Sequence, residues 1–226
     1  METFIKVSLI IHIISGSLAL LTGLGSILFR NKVKIHKKFG IVYFYCMTVV
    51  FITAVYISAI KQNIFLFCVA FFTYYACLTA YRSLKLKRLH IDQKPTTWDW
   101  AIEVLFGFMH VCFVVFSVVL FTIGHADLGI ISAVFGILGV RGNIDTIKRL
   151  RGKVEYKNYW LLAHIGGMLG SYIGAITAFF VNNNARFIHL PDMAAWLGPT
   201  ALIVPLIIIE LKRHKKKAGK FEAVAK

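Results

Sequence analysis

The chain has 226 residues, of which 58% are hydrophobic and 16% charged, with 26 Lys and Arg against 10 Asp and Glu for a net charge of +16. A soluble domain is about 45–50% apolar and about 25% charged. Here charge-free runs of roughly 20 residues, each able to cross a hydrocarbon core of ~30 Å, recur along the whole sequence. A soluble one- or two-domain chain, a secreted disulfide scaffold, a disordered chain and a soluble nucleic-acid binder are excluded.

Hydropathy predicts seven spans. The first, Ile5–Phe29, carries His12 and small residues at Gly16, Ser17, Gly23 and Ser26. Its apolar run is longer than the roughly 7–15 residues of a signal-peptide core and lacks a small-residue cleavage site before Arg30, so it is expected to stay in the protein. The second, Phe39–Ile60, follows a basic stretch, and His36 near the end of that stretch shares a helix face with Gly40 and Tyr43 at i, i+4, i+7. After a third span over Ile64–Leu84, the fourth, Trp100–Ile123, repeats that spacing with Glu103, Gly107 and His110. The fifth, Leu128–Val140, is short as an apolar run. It reaches across a bilayer only if the helix continues through Arg141, Gly142 and Asn143.

The sixth span, Asn158–Val181, contains His164 and two small-residue rows, Gly166, Gly170, Gly174, Ala178 and Gly167, Ser171, Ala175. Such rows let helices approach closely in lipid, where no hydrophobic force drives them together. They are also the surfaces through which two copies of the chain are expected to associate. The seventh, Met193–Leu211, holds Pro199 and Pro205 and has no ionisable group before Glu210, which predicts a peripheral, kinked helix outside any site. Residues 1–211 read as a single transmembrane helical domain, and residues 212–226 as a disordered basic tail on the headgroups.

The cations set the orientation. Of the 26, all but Lys6, Lys61 and Arg186 fall in the connections after spans one, three and five or in the tail. Positive loops face the cytoplasm, so the N-terminus is expected outside and the C-terminus inside, which requires an odd number of crossings. Trp98, Trp100 and Trp160 then mark the cytoplasmic interface and Trp196 the outer one. Attraction to anionic headgroups, worth about 1 kcal/mol per Lys or Arg near the surface, accounts for the net charge without nucleic acid. Cys46, Cys68, Cys77 and Cys112 lie inside spans as isolated small packing residues. The fold class is therefore an all-α polytopic bundle of seven membrane spans.

Ionisable groups inside a membrane are costly and default to functional candidates. His12, His110 and His164 lie within spans and His36 at the mouth of span two, whereas His90, His125, His189 and His214 lie in connections or the tail. At 1.5 Å per residue, His110 falls at about the midplane, His12 roughly 7 Å to its outer side and His164 roughly 8 Å to its inner side. Neutral imidazole ligates haem iron and transition metals. His12, His36, His110 and His164 are thus candidate ligands for haem b, with Gly16, Gly40, Tyr43 and Gly167 as candidate lining, and the preferred mechanism is electron transfer. A second reading is a small-molecule or ion transporter or channel whose polar path holds Glu103, His110 and Asn143. A third is a non-catalytic scaffold subunit. No G-x-S-x-G or H-E-x-x-H motif supports hydrolase chemistry.

The stretch His12-Ile-Ile-Ser-Gly16, followed by His36-Lys-Lys-Phe-Gly40-Ile-Val-Tyr43, resembles a family of bacterial multi-pass membrane proteins catalogued as domain of unknown function 2306. Its late-helix pattern is similar to His164-Ile-Gly-Gly-Met168 running into Ala175-Ile-Thr177-Ala178-Phe179. The resemblance covers most of spans one to six and implies a bacterial inner-membrane location and a role for His12, His36 and His164; it implies no established activity. A looser likeness to the ascorbate-dependent transmembrane b-type cytochromes lies in histidines on successive helices flanking a basic loop, an analogy of fold rather than of site.

Overall fold

In lipid every backbone N–H and C=O must find a partner within the protein, so apolar runs of this length fold as helices. The computed structural model describes residues 2–218, with the side chains of residues 187, 188 and 218 left outside that description. It is built from seven α-helices: α1 (Glu2–Leu28), α2 (Val33–Ile60), α3 (Ile64–Ser83), α4 (Thr97–Thr122), α5 (Ala126–Leu150), α6 (Tyr159–Asn183) and α7 (Asp192–Ala218). A π-helical turn, Asn184–Ile188, follows α6. All seven are long and apolar enough to cross a membrane, which makes this a multi-pass membrane protein. Exposed Leu, Ile, Val and Phe side chains on α1, α2, α4 and α7 form the walls that face lipid.

Three boundaries differ from the sequence expectation. Helix α2 begins at Val33, so His36 lies in its first turn rather than ahead of it. Helix α5 runs on through Arg141–Asn143 to Leu150 and is long enough to span. Its polar residues Asn143 and Thr146 are buried inside the bundle, so they interrupt the hydropathy of the run without interrupting the helix. Helix α7 continues to Ala218, past the expected end at Leu211. Residues Lys212–Ala218 are therefore helical rather than a disordered tail: a charged turn leaving the hydrocarbon keeps its backbone bonds while long Lys side chains reach water. Residues 219–226 lie outside the described residues.

Helix α3 is the centre of the bundle and packs against α2, α4, α5 and α6, with α1 on α2 and α7 on α6. Small residues set the close contacts. A Cβ on Gly167 would stand 2.7 Å from the Ala80 Cβ, and one on Gly174 2.6 Å from Thr73 Cγ2, so this face of α6 lies directly on α3. Gly166 and Gly170, in the same row as Gly174, face looser space. A core of Met47, Phe71, Tyr74, Tyr75, Cys77 and Phe106 fills the middle.

The cationic connections come together at one end. Arg30 approaches Glu210 at 3.9 Å, Lys87 lies 4.4 Å above the Trp160 ring, and Asn158 Nδ2 donates to the His214 carbonyl. Asp99 joins α4 to α3 at this basic end. It accepts from the Thr96 backbone N–H at 2.7 Å, completing a capping box, and takes both Nε and Nη2 of Arg82 at 2.5 and 3.1 Å.

Candidate functional site

The polar residues of α3, α4 and α5 meet in one buried chain. Glu103 and His110 lie two turns apart on the face of α4 that meets α5, and both are buried. Asn143 of α5 stands between them: its Oδ1 accepts from His110 Nδ1 at 2.5 Å and its Nδ2 donates to Glu103 Oε2 at 2.9 Å. A carboxylate only accepts, so it forces the amide to turn its NH2 toward Glu103 and its oxygen toward the imidazole. His110 is thereby held as the Nδ1–H tautomer with a bare lone pair on Nε2, and that nitrogen is buried with no protein partner.

The seat of His110 is built by absence. A Cβ on Gly139 would stand 2.5 Å from His110 Cδ2, so the imidazole lies flat on the backbone of α5. Tyr75 meets it edge-on, with ring centroids 5.0 Å apart, and Phe72 covers it at 6.1 Å.

Toward the basic end the chain continues. Tyr75 OH lies 2.8 Å from Glu103 Oε2 and 3.0 Å from Thr146 Oγ1. Thr146 donates to the Gly142 carbonyl and accepts from Arg149 Nη2 at 2.7 Å. A small cavity of about 30 Å³, lined by Glu103, Thr146 and Arg149 together with Arg82 and Asp99, adjoins this end. At roughly 10–15 Å³ for each water, it has room for two or three.

Of the sequence candidates, Glu103, His110 and Asn143 thus come together as one unit. Tyr75, Thr146 and Arg149 belong to it and were missed. Thr146 and Arg149 follow Asn143 along one side of α5 and carried that much of a signal. Tyr75 is one of nine tyrosines and carried none.

The other histidines lie elsewhere. His12 Nδ1 donates to Thr53 Oγ1 of α2 at 2.9 Å and shares no partner with His110. His36 and His164 form a pair, with ring centroids 6.3 Å apart and planes at 82°. Each anchors its Nδ1–H on a backbone carbonyl, His36 on Ser26 at 2.9 Å and His164 on Ala80 at 3.2 Å, which leaves both Nε2 atoms as acceptors. Two imidazoles on one metal need about this separation, with metal–nitrogen bonds of about 2.0–2.1 Å plus the half-width of each ring. Backbone anchoring of the remote nitrogen is the usual support of a ligating histidine.

Beside the pair, Gly40 presents an open face, with Ser26 Oγ 3.8 Å from the position of a Cβ, and that hydroxyl is buried without a partner. The donor set and cradle at His36 and His164 thus fit an axial haem pair, whereas His12 and His110 are each bonded to a side chain of a neighbouring helix. Gly16 faces Val50, and Tyr43 is committed to Ser171 at 2.7 Å. Gly167 is filled by α3 rather than open as a lining. Among the described residues, no group of three or more His, Cys, Asp or Glu side chains is placed to hold a metal ion.

No protein-family model, no curated protein and no solved structure matches the chain.

Proposed function

We propose that this membrane protein translocates protons through the α3–α4–α5 chain, with the basic end at the cytoplasm and its cations on anionic headgroups. The observation that carries the reading is the unbroken set of hydrogen bonds from the cavity at Glu103 and Arg149 to a buried imidazole whose Nε2 has no partner. Buried ionisable groups in a membrane mark ion and proton pathways.

Glu103 is the station reached from the basic end and His110 the station near mid-membrane. Asn143 couples them. A proton taken up on Nε2 makes the imidazole cationic and its Nδ1–H a stronger donor, which polarises the amide against the Glu103 carboxylate. The charge on each station then lowers the cost of charge on the other, as partnered charges require in a medium of low dielectric.

The test is proton flux in liposomes enclosing a pH dye, driven by a potassium diffusion potential. Flux above that of protein-free liposomes is expected, falling to their level in Glu103→Gln and in His110→Phe. Wild-type flux equal to that of protein-free liposomes would sink the reading.

A second reading is favoured by the His36–His164 pair: haem b held by these two residues, supplying one-electron chemistry at the basic end. The exposed cations Arg30, Lys32, Lys34, Lys37 and Lys38 give its carboxylates a rim. A Soret band and a reduced α-band in detergent-purified protein, lost in His36→Ala and His164→Ala, are the expected outcome. A colourless preparation that does not take up added haemin would remove it. Both histidines are among the three, with His12, to which the resemblance to domain of unknown function 2306 points.

A further inference from the structure

A second cavity, of about 110 Å³, lies between α3, α5, α6 and α7. Most of its wall is apolar, and no charged side chain lines it. Trp196, Thr200 and Val204 contribute to the wall from α7. Phe72 separates this cavity from His110, with its ring stacked on Phe135 at 5.2 Å on one side and at 6.1 Å from the imidazole on the other.

The wall carries three hydroxyls, those of Thr73, Thr177 and Thr200, and of these Thr177 is the most deeply buried. Thr22, Thr48, Thr53, Thr79 and Thr146 each return the hydroxyl hydrogen to the carbonyl four residues back, the usual habit of a threonine in a membrane helix. Thr177 does not. It is 3% exposed, its Oγ1 has no hydrogen-bond partner, and it lines the cavity. Leaving such a hydroxyl buried and unpaired costs about 1–3 kcal/mol, which a bound polar atom recovers.

We propose that this cavity binds a small neutral solute with an apolar body and a single hydroxyl, which pairs with Thr177. A cavity of about 150 Å³ takes benzene, so one of about 110 Å³ takes something smaller, of the size of a two- or three-carbon alcohol. An ion is excluded because no wall group compensates its charge. One row of glycine gives the solute its space: Gly170 and Gly174 both line the cavity, and a Cβ on Gly170 would meet nothing within 4 Å. Any coupling of this solute to protons, across Phe72, rests on the translocation reading; its binding does not.

The test labels the full chain with 5-fluorotryptophan, assigns the Trp196 resonance with Trp196→Phe, and titrates 2-propanol into protein in lipid nanodiscs. A saturable shift of the Trp196 resonance is expected, with the other tryptophan resonances unmoved as the control for fold. Thr177→Val should weaken binding roughly three- to tenfold, the loss of one hydrogen bond. Gly170→Leu, or Thr200→Leu entering from the opposite wall, should abolish the shift. A shift that never saturates, or one unchanged by both filling substitutions, would overturn the site. Wild-type affinity in Thr177→Val would overturn the role of the hydroxyl. Proton flux is not part of this readout, so the site and the relay stand or fall separately.

Discussion

Two regions of the bundle hold histidine in opposite ways. In the α3–α4–α5 chain His110 is completely buried, and its one bond goes to a side chain that is itself bonded to a second ionisable group. In the α1–α2–α6 region His36 and His164 are half-buried, and each is anchored on a backbone carbonyl rather than on a titratable partner. Side-chain partners transmit charge, because a change on one polarises the next. Backbone anchors only fix a ring in place and set its tautomer. The first arrangement suits a proton that moves, and the second a ligand that stays. On the two proposed readings one residue type would serve two chemistries, separated by what its Nδ1 touches.

The largest expected effect separates the regions by stability. Asn143→Leu leaves the buried His110 Nδ1–H without an acceptor and removes one of the donors to Glu103. The cost should be at least about 2 kcal/mol. His164→Leu frees only the Ala80 carbonyl, which still accepts from the Ser83 hydroxyl at 2.8 Å, and should cost under about 1 kcal/mol. Unfolding in mixed detergent measures both. The reverse order would break the distinction between a load-sharing chain and an anchored pair.

The fold was far more legible than the site. Spans could be read because lipid leaves a long apolar run no alternative to a helix. The ends of α5 and α7 could not. Asn143 and Thr146 lower the local hydropathy of α5 although they face inward, and Lys212–Lys217 look like a tail although helix geometry continues through them. Within the site, Glu103 and His110 announced themselves by charge and by a shared face. Arg149 stood in a basic cluster that orientation already explained, and only the packing of α5 on α4 and α3 turns it toward Thr146. The His36–His164 contact was the least legible, because a second span starting at Phe39 leaves His36 at the membrane surface while His164 lies within the sixth span. Starting the helix at Val33 brings His36 into the bundle.

A smaller effect sharpens the same contrast through glycine. Gly139→Ala places a methyl group within 3 Å of three atoms of the His110 ring. The ring must move or α4 and α5 must part, and overpacking of this kind costs about 1–3 kcal/mol. Gly40→Ala, beside His36, meets only Ser26 Oγ at 3.8 Å and should leave stability within about 0.5 kcal/mol of wild type. Thermal unfolding of the two variants in one detergent provides the comparison. Equal losses would mean that the α1–α2 groove is as tightly packed as the relay.

The smallest effect concerns His12, which fits neither pattern. Its Nδ1–H meets Thr53 Oγ1 at 2.9 Å, while the Thr53 hydroxyl hydrogen is directed at the Val49 and Val50 carbonyls of its own helix. Thr53 is therefore an acceptor with nothing beyond it to polarise, and the bond joins α1 to α2 in isolation. Single interhelical hydrogen bonds of this type average about 0.6 kcal/mol in membranes. A double-mutant cycle with His12→Phe and Thr53→Val should return a coupling of about that size, with proton flux unchanged in all three variants. A coupling several times larger, or loss of flux in His12→Phe, would place His12 in a functional network. The expected value instead makes it a packing contact that holds α1 against α2, leaving the charge-bearing chain to α3, α4 and α5.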